Sequence, residues 1–156
     1  MYDIHLTSKN EGVVTFKEFQ EKFIEICKSH KDQDRALCFA FILYCQRDPQ
    51  IPEILCNSNY WNALDEISGK YITVFSIKTI FEESPIYNMV SVSSVMKPNN
   101  ASNQILEKYF NLNVEVLYPS ILFFQVIEDK ILNPFLVPLN ETKKEESFME
   151  IKKLWK

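Results

Sequence analysis

The clearest pattern in the chain is a pair of short apolar runs, Ile121 to Ile127 and Ile131 to Val137, separated by the polar break Glu128-Asp129-Lys130. Runs of that length around a break of that size predict a β-hairpin. Pro119 stands just before the first strand, where no ladder N–H is needed, and Pro134 interrupts the second. Ala36 to Cys45 (ALCFAFILYC) is apolar at both parities, the mark of a central strand covered on both faces. Tyr71 to Ile77 is a β-branched and aromatic strand, and residues 1–14 hold a weak alternation that fits a short edge strand.

Helical spacing fills the intervals. Phe16, Phe19, Phe23, Ile26 and Cys27 share one face of a helix expected to run to about Ser29, with Thr15 and Glu18 as a capping box. Tyr60, Trp61, Leu64 and Ile67 make a second face, closed by Gly69. Ser102 opens a helix bearing Ile105, Leu106, Tyr109 and Phe110. Thr142 and Glu145 form another capping box before Phe148, Ile151 and Trp155. Between these elements, residues 46–59 are expected as a long loop with a helical turn near Ile54. Residues 79–100 show no period and are expected as a loop of about twenty residues, a length that is usually functional or mobile.

Composition narrows the function classes. The 156 residues suit one domain spanning 1–156, which at this size buries roughly 68–70% of its unfolded surface and needs no staple. Net charge is −4, and no basic run exceeds two lysines, which argues against nucleic acid or an anionic membrane as partner. Only two glycines are present and no Gly-rich phosphate loop exists, so no nucleotide cofactor is expected. No apolar stretch reaches the ~18 residues of a membrane span, and the N-terminus lacks the n- and h-regions of a signal peptide. A soluble, cytoplasmic protein is expected. Cys27, Cys38, Cys45 and Cys56 form no C-x-x-C, and with His5 and His30 they match no zinc spacing, so no metal is expected. Cys38 and Cys45 stand at an odd offset on one strand and so face opposite ways. Cys27, Cys38 and Cys45 are expected as small hydrophobes.

The element order is strand, helix, strand, helix, strand, helix, hairpin, helix. Right-handed crossovers would make the first three strands parallel, and the hairpin then extends the sheet antiparallel. This α/β order, together with Tyr118-Pro119 directly before the Ile121-Leu122-Phe123-Phe124 strand, resembles the thioredoxin-like fold family over nearly the whole chain. The resemblance implies a mixed central sheet flanked by helices, and a proline at position 119 that is usually cis and lies beside the catalytic thiols. The departure from the family is at the second helix. Where redox-active members carry C-x-x-C, this chain has Gln46-Arg47-Asp48-Pro49 after Cys45. Dithiol exchange needs an attacking and a resolving thiol within a turn of each other, so a general dithiol reductase is not expected.

Three functions from different classes follow, the third being a small-molecule sensor that closes the long loop over the same end, for which no specific residue stands out. The first is a non-catalytic domain that binds a protein partner or a second copy of itself through residues 46–59, 79–100 and Pro119. Tyr118, Arg47, Asp48, Met89, Val92 and Met96 are its candidate contacts, because the insertion is more apolar than a solvated loop needs. Set against this, Arg47 and Asp48 also fit plain exposed loop charges, and the apolar residues of the insertion equally fit a lid or an extra strand folded back on the core. The second is a monothiol enzyme of the peroxiredoxin or glutaredoxin sort. Its nucleophile would be Cys56, ahead of the Tyr60 helix whose N–H groups would lower the thiol pKa. The P-x-x-x-T-x-x-C motif of peroxiredoxins is absent, and Ser91, Ser93 and Ser94 have no nearby histidine to activate them.

Overall fold

The computed structural model describes residues 2–4, 16–35, 38–68, 71–79, 81–84, 95–98, 106–112, 118–128 and 130–155. Their elements, in chain order, are β1 (Tyr2–Ile4), α1 (Phe16–Asp32), β2 (Cys38–Cys45), α2 (Gln50–Leu55), α3 (Ser58–Ser68) and β3 (Ile72–Thr79). Then come β4 (Phe81–Ser84), β5 (Val95–Pro98), helical residues 106–110 (α4), β6 (Ser120–Ile127), β7 (Lys130–Pro138) and α5 (Lys144–Leu154).

Five strands form one mixed sheet in the order β1-β3-β2-β6-β7. β3 pairs in parallel with both β1 and β2, while β6 runs antiparallel to β2 and to β7. β2 is thus the central strand that its two-sided apolar sequence calls for. Because side chains alternate along a strand, its residues divide between two cores. Phe39, Phe41 and Leu43 join Phe75, Ile77, Leu122 and Phe124 under α1 and α4. Ala40, Ile42 and Tyr44 join Val74 and Ile121 under α2, α3 and α5. Helices on both faces explain why neither parity of β2 is polar.

The predicted interruption at Pro134 is a β-bulge. Between the pairs Phe123↔Phe135 and Gln125↔Leu132, β7 carries one residue more than β6. Asn133 takes up the extra length at φ 52°, a left-handed conformation that asparagine tolerates.

Several expectations need correction. The first helix continues past Ser29 to Asp32. It ends in a Schellman motif, with Arg35 N–H on the His30 carbonyl (2.9 Å), Asp34 N–H on that of Lys31 (3.2 Å), and Asp34 left-handed at φ 52°. An aspartate in place of the usual glycine hid that stop. Residues 46–59 hold a full helix, α2, with Pro49 and Pro52 at its start, where no intrahelical N–H bond is lost. The interval 79–100 contains the antiparallel pair β4–β5, so it is not wholly a loop. The capping box at Thr142 and Glu145 does not form: the N-cap is Lys143, without a side-chain cap. Glu150 instead holds the segment that leads into α5, its carboxylate accepting the N–H groups of Asn140 and Glu141 at 3.1 Å. Thr15 and Ser102, as helix caps, and Met89, Val92 and the 91–94 serines lie outside the described residues. Among the described residues, no helix is long and apolar enough to cross a membrane.

Candidate functional site

The carboxyl ends of the parallel strands β2 and β3 meet the entry to β6, and this brings Asp48, Tyr118 and Pro119 of the candidate residues together beside Cys45. β2 leaves the sheet through a tight turn, Cys45-Gln46-Arg47-Asp48, that is closed from both ends. Asp48 N–H donates to the Cys45 carbonyl (3.1 Å), and the Asp48 carboxylate accepts the Cys45 N–H (2.8 Å). Asp48 is therefore buried, at 7% exposure, and is not a solvated loop charge; Arg47 beside it is exposed. A buried carboxylate is stable only with such charge-assisted bonds around it.

Across the turn, the Tyr118 hydroxyl and Thr79 Oγ1 are hydrogen-bonded at 3.0 Å, tying the end of β3 to the residue before Pro119. The Tyr118–Pro119 bond is cis, and the Pro119 carbonyl accepts the Leu139 N–H at 2.9 Å. Ser120 is fully buried, and its Oγ has no hydrogen-bond partner among the described residues.

These surroundings decide the acidity of Cys45. Burial pushes its thiol up to about 11 from an ordinary 9.0. The hydrogen bond to Asp48 and that carboxylate's charge push the same way, against an opposing backbone bond from Arg47 and its charge. Burial likewise raises the Tyr118 phenol, against the hydrogen bond from Thr79, with negative charge at Cys45 and Asp48 adding to the rise. Cys45 is thus a protonated, unreactive thiol near neutrality. One expected result follows. The unfolded thiol ionises near 9.0 and the folded one near 11, so the thiol's contribution to stability is intact below pH 9 and is lost as pH rises towards 11. By linkage the loss is roughly 2–3 kcal/mol. Urea unfolding at pH 8 and pH 11 measures it, and Cys45→Ala should flatten the difference relative to wild type.

Cys56 is exposed and serves as the C-cap of α2, with its N–H on the Pro52 carbonyl (2.8 Å). The leading N–H groups of α3 are engaged elsewhere: Asn57 Oδ1 accepts those of Asn59 (3.0 Å) and Tyr60 (3.4 Å). The N–H groups assigned above to lowering the Cys56 pKa thus already have an acceptor. Of the insertion residues, Met96 lies in β5 opposite Glu83. Cys27 and Cys45 are buried as expected of small hydrophobes, while Cys38 is only half-buried and receives a weak bond from Gln125 Nε2 (3.6 Å).

One buried polar pair was not anticipated. His30 is 2% exposed, stacks on Phe39 with ring centroids 5.8 Å apart, and meets Thr73 Oγ1 through Nε2 at 3.2 Å. Its signal was positional: His30 continues the buried row of Ile26 and Cys27 at helical spacing. Among the described residues, no three His, Cys, Asp or Glu side chains converge as metal ligands. No protein-family model and no curated protein matches the chain.

Proposed function

We propose that this chain is a thioredoxin-like domain without dithiol chemistry, acting as a protein-interaction or adaptor module. The sheet order β1-β3-β2-β6-β7 carries this reading, with its three parallel strands, its antiparallel hairpin, and a proline at the entry to β6. The loss of redox function rests on the β2–α2 turn. It holds Asp48-Pro49 in place of a cysteine pair, and its one thiol, Cys45, is buried and pushed up to about 11. The binding surface we infer is the one the sequence suggests, residues 46–59, 79–100 and Pro119, with a protein partner or a second copy as occupant. Cytoplasmic localisation accompanies this reading, supported by cysteines without a disulfide framework.

The expected result of Met89→Asp combined with Met96→Asp is loss of association with the far-ultraviolet circular dichroism unchanged. Sedimentation velocity on the pure protein reads self-association. Quantitative co-purification of tagged wild type against the variant reads a partner. Association that persists in the double variant would sink the proposed surface.

A second reading, a monothiol enzyme using Cys56, is favoured by that thiol's exposure. Full peroxidase activity in a Cys56→Ser variant would remove it.

A further inference from the structure

The far end of the sheet carries a separate feature. Where β2 and β3 begin, opposite the clasp of Cys45, Asp48, Thr79 and Tyr118, the sheet surface holds an open groove of about 470 Å³. Phe39, Tyr71, Phe123 and Phe124 are among its lining residues, together with Ile72. Its polar edge is a short chain of neutral groups: Asn133 Nδ2 donates to Gln125 Oε1 (3.4 Å), and Gln125 Nε2 donates to the Cys38 thiol (3.6 Å). None of the described lining residues is charged.

A strand from another chain is disfavoured, because the neighbouring edge strand β7 contains Pro134 and Pro138, which have no N–H to donate. Three exposed apolar side chains, Tyr71 (67%), Phe135 (65%) and Leu132 (39%), offer roughly 300 Å², no more than the apolar patch an ordinary monomer carries, so nothing there calls for a globular partner or second copy. A small molecule fits, since binding clefts run from roughly 300 to 1,000 Å³, with apolar walls and a few convergent polar groups. An anion or cation held here would find no counter-charge among the described lining residues.

We propose that this groove binds a small, uncharged, largely apolar molecule, with the Gln125 and Asn133 amides meeting its one polar group. The groove lies at the opposite end of β2 and β3 from Cys45, Asp48, Thr79 and Tyr118.

The test uses the full chain and the uncharged fluorophore N-phenyl-1-naphthylamine. Saturable binding at one site per chain is expected. Gln125→Glu, which sets a carboxylate in the groove, should weaken it at least tenfold, and Tyr71→Ser about threefold. Both positions are exposed, so far-ultraviolet circular dichroism should not change. An anionic analogue, 8-anilinonaphthalene-1-sulfonate, should bind at least tenfold more weakly than the neutral probe. Non-saturable binding, equal binding by both variants, or preference for the anionic probe would overturn the proposal. So would a probe that binds only to a self-associated form in sedimentation velocity, since the occupant would then be a second copy.

Discussion

Alkylation of the native protein with iodoacetamide at pH 7 is expected to label Cys56 quickly and to leave Cys45 almost untouched. The thiolate is the reacting species, and a thiol held near 11 instead of 9.0 has about 100-fold less of it at neutral pH. Burial adds a steric barrier, because Cys45 is only 5% exposed while Cys56 stands at the surface. Cys27 should also resist, and Cys38 should react at an intermediate rate from its half-buried place on the groove. In denaturant all four should react alike. Mass spectrometry of the time course reads each site separately. Rapid native labelling of Cys45 would mean that the turn closed by Asp48 opens readily, and the case against thiol chemistry at the clasp would fail. A reaction midpoint for Cys56 well below the free-thiol ~8.5 would move the functional reading towards the monothiol enzyme.

Phe41→Ala should have the largest effect on stability, a loss of about 3–5 kcal/mol. Phe41 is 1% exposed on the central strand, and its ring meets those of Phe124 at 4.8 Å and of Phe75 and Phe110 at 5.6 Å. Removing it opens a cavity bounded by β3, β6 and α4, which the surrounding rings can fill only in part. Against a typical total of about 5–15 kcal/mol, such a loss leaves a marginal fold. Phe135→Ala is the control: that ring is 65% exposed on the edge strand, and the cost should stay within about 0.5 kcal/mol. Urea unfolding of the two variants separates these outcomes, and comparable losses would show that the core is not centred on β2.

What the sequence determined by itself was local and periodic. The apolar residues of β2 at both parities announced a central, doubly covered strand, and the break Glu128-Asp129-Lys130 announced the β6–β7 hairpin. The rows Phe23–Ile26–Cys27 and Phe148–Ile151–Trp155 placed the buried faces of α1 and α5. All of these follow from side-chain period, which neighbouring residues carry whatever the rest of the chain does.

What only the tertiary structure decided were contacts between distant residues and the fate of polar groups. Thr79 and Tyr118 bond across 39 positions, and Gln125 reaches Cys38 across 87. Asp48 looked like a solvated charge because its type is usually exposed; its burial depends on the Cys45 N–H that the turn turns towards it. The predicted cap at Thr142 does not form, while Glu150 holds the segment before α5, its carboxylate reaching the N–H groups of Asn140 and Glu141 once the chain folds back. A polar side chain is buried only where a partner compensates its lost hydration, and such partners come from other elements, so local pattern does not encode them.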